Sequence, residues 1–208
     1  MASAVRVVVV TDRSIAPIPE MLDRLVAILD AVPRGAVRVQ VRDKQLDGAP
    51  LLALVHDVLA IARPRGAEVW VNDRADVALA AAADGVHLPE RGLAIDDARA
   101  LGCVAVGCSR HSADGALAAA RAGADVVHLG PIWATPSKPD APLGPEALAI
   151  RIPGSLVAVG GIGSPERARL AARAGADAVA VIRAAWTTAD PGAALAALCD
   201  AVASCDTP

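Results

Sequence analysis

Eight short runs rich in valine alternate with stretches rich in alanine and leucine along the 208 residues of the chain, and nothing else in the sequence restricts the fold as strongly. The runs fall at 5–10, 37–41, 68–71, 85–88, 103–107, 126–129, 156–159 and 178–182. The stretches at 18–31, 49–62, 75–82, 94–100, 113–122, 145–150, 165–174 and 189–203 each suit a helix. Strands that are apolar along their whole length belong to a parallel sheet covered by helices. An open doubly wound sheet would show about five to seven strands and a G-x-G-x-x-G turn after the first, and neither is present. The pattern therefore predicts an α/β fold, a (β/α)8 TIM barrel forming a single domain over residues 1–208.

The helix boundaries agree. Ser112, Ser164 and Asp190 stand where N-caps belong, with Pro165 and Pro191 at the first helical position behind two of them. The sequence Ala-Gly-Ala-Asp occurs at 122–125 and again at 174–177 and supplies glycines that end helices.

Composition narrows the partners. The apolar mass is Ala, Val and Leu, with no Phe or Tyr and only Trp70, Trp133 and Trp186, so the core must rest on many small aliphatic contacts. A formal net charge of −3, with acids and bases mixed, offers no basic field for nucleic acid or for an anionic membrane surface. The first apolar run is too short to span a bilayer and lacks signal-peptide grammar, which gives a cytoplasmic expectation. Cys103, Cys108, Cys199 and Cys205 show neither a C-x-x-C pair nor zinc-type spacing and are expected as reduced thiols. Small-molecule ligands are favoured.

In such a barrel the chemistry sits at the carboxyl ends of the strands. The second run continues into Gln40-Val41-Arg42-Asp43-Lys44, and its two-residue period places Gln40, Arg42 and Lys44 on one side. Two cations and an amide so arranged suit a phosphate or pyrophosphate, against the alternative of a solvated edge strand. Arg38 shares their parity, deep in the barrel, without an evident partner. The third run ends Asn72-Asp73-Arg74, where Asp73 suits a magnesium ion and either Asn72 or Asp73 alternatively suits an N-cap. The fifth leads to Ser109-Arg110-His111. The sixth leads to a long loop with Thr135, Ser137 and Lys138, hydroxyls and an ammonium that suit an anion. The seventh ends Gly160-Gly161-Ile162-Gly163 and the eighth ends Ile182-Arg183, where glycines let backbone N–H groups approach a phosphate.

Together Gln40-Val41-Arg42-Asp43-Lys44, Asn72-Asp73-Arg74, Gly85-Val86-His87-Leu88, Gly130-Pro131 with Thr135-Pro136-Ser137-Lys138-Pro139, and Gly160-Gly161-Ile162 resemble the thiamine-phosphate synthase and thiazole tautomerase superfamily, in order along nearly the whole chain. The resemblance implies a transferase that joins hydroxymethylpyrimidine pyrophosphate to hydroxyethylthiazole phosphate, giving thiamine phosphate and pyrophosphate with magnesium as cofactor. It implies that Arg42, Lys44 and Lys138 are catalytic, that they contact the pyrimidine and its pyrophosphate together with Gln40, Asn72 and Ser109, and that Asp73 binds magnesium. Thr135, Ser137, Gly161 and the backbone at Ile182 and Arg183 would face the thiazole phosphate. A homodimer is a further expectation of the resemblance.

Three positions depart from the synthase pattern. Gly92 stands where a second magnesium aspartate belongs, Arg183 where a serine is usual, and Pro89 after His87-Leu88 is similar to the tautomerase branch. The alternatives to a synthase are thus a thiazole tautomerase-like isomerase and a non-catalytic paralogue that binds thiazole or thiamine phosphates. Pro131 stands where the bacillar tautomerase carries its acid/base histidine, and the residues for pyrimidine pyrophosphate, which a tautomerase does not use, are retained together. Those two points favour the synthase.

Overall fold

The computed structural model describes residues 5–136 and 141–205. Strands β1 (Val7–Val10), β2 (Val37–Val41), β3 (Glu68–Asn72), β4 (Gly85–Leu88), β5 (Val106–Arg110), β6 (Val126–Leu129), β7 (Ser155–Val159) and β8 (Ala178–Val181) are all parallel and close into a barrel in chain order. Closure is made by β8 on β1, with Val179 opposite Val7 and Val181 opposite Val9. Helices α1 (Ile18–Ala31), α2 (Gly48–Ala62), α3 (Ala75–Ala80), α4 (Ile95–Ala100), α5 (Ala113–Arg121), α6 (Pro165–Ala174), α7 (Arg183–Trp186) and α8 (Pro191–Ala203) surround it. None is long and apolar enough to cross a membrane.

Three local expectations change. The fifth strand lies three residues later than its apolar run, because Cys103 N closes the end of α4 on Ala98 O and Asp125 Oδ2 takes Val106 N at the true strand start. Ser109 and Arg110 therefore belong to β5 itself. The sixth crossover is a single 3-10 turn, Pro145–Leu148, since Pro145 and Pro153 leave little chain in which to build a longer helix. The short α7 follows β8 directly and is held by Trp186, whose Nε1 donates to Val10 O at 2.7 Å.

The chain builds two apolar layers. The larger lies between strands and helices, and the smaller fills the barrel with Val8, Val10, Trp70, Val126, Val157, Ala178 and Ala180. Trp70 is the aromatic side chain of this inner layer. A Cβ added at Gly85 or Gly107 would lie 2.7 or 2.8 Å from its ring, so those two strands give up side-chain volume to admit it.

At the amino end of the barrel, the floor, Arg38 finds its partners. Its guanidinium stacks 4.3 Å from the Trp70 ring centroid, and its Nε donates to Glu68 Oε2 at 2.7 Å. The same Oε2 accepts from Trp70 Nε1 at 3.1 Å. Stacking of this kind contributes about 0.5–2 kcal/mol. Around the floor, Asp84, Asp125 and Asp177 each precede an even-numbered strand and accept the N–H of Val69, Val106 or Leu156 on the strand before it. The aspartate of the repeated Ala-Gly-Ala-Asp sequence is thus a strand-start acceptor, in addition to the glycine's role.

Candidate active site

Because all strands run in one direction, the polar ends picked out in the sequence meet on one face. Alternation along β2 turns Gln40 into the barrel, where it is buried and its Nε2 donates to Asn72 Oδ1 at 3.1 Å. Asn72 stands opposite His87 in the β3–β4 register, and His87 Nε2 lies 2.8 Å from Ser109 Oγ on β5. A polar row therefore runs from β2 to β5. His87 and His128 face each other with ring centroids 4.1 Å apart. Burial, then Arg38 and Arg110, push His87 down to about 3. Burial, then His87 and Arg38, hold His128 well below the usual imidazole range. Both rings are therefore neutral near pH 7 and serve as hydrogen-bonding walls.

The cationic end of β2 is held by residues that the sequence reading passed over. Thr11 Oγ1 accepts from Arg42 N at 2.7 Å and donates to Arg42 O at 3.0 Å. Asp43 accepts from Arg13 Nε at 2.7 Å and Nη2 at 3.3 Å, and from Gln45 N and Leu46 N. Burial would push the Asp43 carboxyl up, but the Arg13 guanidinium and the two backbone donors outweigh it and leave it below the usual range. Asp43 is thus occupied by the loop, while the side chains of Arg42 and Lys44 have no hydrogen-bond or ion-pair partner among the described residues. The sequence signal for Asp43 was its opposite parity to the two cations.

Neither Asn72 nor Asp73 caps α3. The cap position is Arg74, without a side-chain cap bond, so that alternative is set aside. Asp73 sits in the left-handed region at φ 66, a conformation that Asp tolerates better than most residues, and its N donates to His87 O. Its carboxylate is exposed and has no hydrogen-bond partner among the described residues. Gly92 adjoins it: a Cβ there would lie 3.0 Å from Asp73 Oδ1 and 2.8 Å from Pro89 Cδ, so the Pro89 turn leaves no room for a side chain. Glu90 Oε2 lies 3.7 Å from His111 Nε2. Among the described residues no group of three His, Cys, Asp or Glu could hold a metal. The donor set at this place is one carboxylate, which suits an ion that draws its other oxygens from water and a bound phosphate.

On the other side of the ring, β7 runs into 160–163 with Gly160 at φ 99 and Gly161 at φ 68. The N–H groups of Gly161, Ile162 and Gly163 meet no acceptor among the described residues. Successive free N–H groups form an anion-binding concavity. Ile182 is half-buried at the start of α7, and the exposed Arg183 side chain has no partner among the described residues. Thr135 is half-buried in the loop after β6, while Ser137 and Lys138 lie outside the described residues. The mouth thus carries two places fit for anions, one built from the side-chain cations Arg42 and Lys44 that follow β2 and one from backbone N–H groups after β7.

Comparison with known proteins gives these motifs a setting. The family profile described as thiamine monophosphate synthase matches residues 7–185. A thiamine-phosphate synthase of Roseiflexus castenholzii is 39% identical over 206 residues, covering 95% of this chain and 88% of that protein. The thiamine biosynthesis bifunctional protein ThiM/ThiE of Symbiobacterium thermophilum is 44% identical over 185 residues, which span 84% of this chain but 38% of that longer protein. The solved thiamine phosphate pyrophosphorylase of Pyrococcus furiosus superposes with a TM-score of 0.84 at 28% identity, covering 99% of each chain. With its barrel, its ordered strand-end motifs and a profile match over most of its length, the chain belongs to the thiamine monophosphate synthase family.

Proposed function

We propose that the barrel joins hydroxymethylpyrimidine pyrophosphate to hydroxyethylthiazole phosphate, forming a bond from the thiazole nitrogen to the pyrimidine methylene carbon as the bond from that carbon to pyrophosphate breaks. The observation that carries this reading is the pairing of two anion-suited places at one mouth, with Arg42 and Lys44 on one side and the N–H groups of 161–163 on the other. A tautomerase acts on one phosphorylated thiazole and needs only the second.

In this reading Gln40 and Asn72, already bonded to each other, present amide edges to the pyrimidine, and Ser109 extends that row. Arg42, Lys44 and Lys138 neutralise the departing pyrophosphate. Thr135, Ser137, the backbone at Gly161 and Ile182, and Arg183 hold the thiazole phosphate. The thiazole nitrogen is itself the nucleophile, so no general base is needed, which is consistent with neutral His87 and His128 at the wall. Catalysis is then placement plus charge neutralisation, which can account for several kcal/mol of barrier lowering, roughly 3–4 per well-placed donor.

Asp73 would be the protein's ligand to a magnesium ion at this place, an ion that commonly takes only one or two carboxylates. When bound, that ion supplies positive charge against the leaving oxygens. The test is formation of thiamine phosphate by the purified protein from both substrates, with and without magnesium, beside an isomerase assay on the thiazole carboxylate phosphate. Magnesium-dependent coupling supports the synthase. Isomerisation without coupling replaces it with a tautomerase, and ligand binding with neither reaction replaces it with a non-catalytic paralogue.

A further inference from the structure

Arg167 stands where the rules of helix construction disfavour it. It is the third residue of α6 behind the cap Ser164, whose Oγ accepts from Arg167 N at 3.4 Å. That place commonly carries Glu or Gln reaching back to the cap, and the positive end of the helix opposes a guanidinium. No acid pairs with this side chain among the described residues. Instead Nη1 donates to Gly161 O at 2.6 Å, and Cζ lies 5.5 Å from the Trp133 ring centroid.

Trp133 closes the arrangement. Its N donates to Gly160 O at 3.1 Å, and a Cβ added at Gly161 would lie 2.7 Å from Trp133 Cβ and 2.8 Å from Ala134 O. The loop after β6, the loop after β7 and the first turn of α6 are thus clasped at one point. In a trans peptide the C=O and N–H point in opposite directions. Holding Gly161 O on Arg167 therefore also fixes the Ile162 N–H, turned away from Arg167 and free of any acceptor among the described residues. Gly161, at φ 68, has no Cβ to keep its peptide in that orientation. The guanidinium supplies the constraint.

We propose that Arg167 is a positioning residue for the anion place at 160–163, holding the Gly161–Ile162 peptide with its N–H presented to a phosphate while Trp133 keys the neighbouring loop to it. The inference rests on the reading that this place takes the phosphate of the thiazole substrate. It assigns the affinity for that substrate to a side chain that does not touch it.

The experiment compares wild type, Arg167→Ala and Arg167→Lys, each with thermal unfolding to confirm folding, by steady-state kinetics in both substrates and by calorimetric titration with hydroxyethylthiazole phosphate. Loss of one charged hydrogen bond should raise KM and Kd for the thiazole phosphate about tenfold in Arg167→Ala. The pyrimidine KM and kcat should stay within about twofold, as for an interaction made equally in ground and transition states. Arg167→Lys should recover much of the affinity, because an ammonium can still donate to Gly161 O. Thiazole phosphate affinity unchanged in a folded Arg167→Ala overturns the inference and leaves the synthase standing. A joint fall in kcat and in affinity for both substrates also overturns it, by showing general disruption. A wild type that makes no thiamine phosphate overturns the synthase reading, and this inference with it.

Discussion

At the floor of the barrel Arg38 is bonded to Glu68 and stacked on Trp70, and Asp84, Asp125 and Asp177 each hold a strand N–H. At the mouth Arg42, Lys44, Asp73 and Arg183 have side chains with no hydrogen-bond or ion-pair partner among the described residues. The two ends use the same residue types. Charges on the floor are satisfied by the protein and act on stability, whereas these four at the mouth, unlike Asp43 in the grip of Arg13, are left for a ligand. Of these four only Arg42 is half-buried, where a charge without a partner costs free energy, and an anion bound beside it during turnover would supply that partner.

Breaking the floor should cost folding and spare the chemistry. Trp70→Ala removes the largest side chain inside the barrel, and Gly85 and Gly107 have nothing with which to fill the space. A loss of about 3–5 kcal/mol is expected by denaturant titration, with turnover per folded molecule largely kept. Collapse of turnover in a folded variant would mean that the barrel interior reaches the site.

Acid should expose the wall between the two ends. His87 stays uncharged in the folded chain down to about 3 but takes a proton near its ordinary 6.5 when unfolded, and His128 is shifted the same way. The unfolded chain therefore binds more protons between those values, so stability is full above about pH 6.5 and falls as the solution is acidified. The slope approaches about 1.4 kcal/mol per pH unit for each ring. Thermal midpoints across that range should fall more steeply in wild type than in His87→Asn, and parallel curves would refute the assignment. The smallest effect is expected at Asp177→Ala. Among the described residues its exposed carboxylate holds only Leu156 N, so roughly 1 kcal/mol of stability and no turnover should be lost.

Much of this is legible in the amino-acid sequence. The alternation of valine runs with alanine-rich stretches gave the barrel, because closure needs only repeated units, and the two-residue period of β2 placed Gln40 correctly inside. The fifth strand misled, since apolar Cys103 to Ala105 read as strand although hydrogen bonding begins at Val106. Partners set by cross-strand register were invisible for the same reason. The stack of Arg38 on Trp70, the contact of His87 with Ser109 and the grip of Arg13 on Asp43 each join residues far apart in sequence. Arg167 left a local trace, an arginine in the first turn behind Ser164-Pro165-Glu166, but its meaning needed the carbonyl of Gly161.

The central claim is that the mouth, and not the floor, carries the reaction. The most direct test measures kcat/KM for thiamine phosphate formation in Arg42→Ala and in Glu68→Gln, side by side with wild type and corrected for folded fraction. The account predicts a loss of about a hundredfold or more in Arg42→Ala, of the size seen when one charge-stabilising donor is removed, and a change of no more than about threefold in Glu68→Gln. Equal losses in the two variants, or a larger loss in Glu68→Gln, would contradict it.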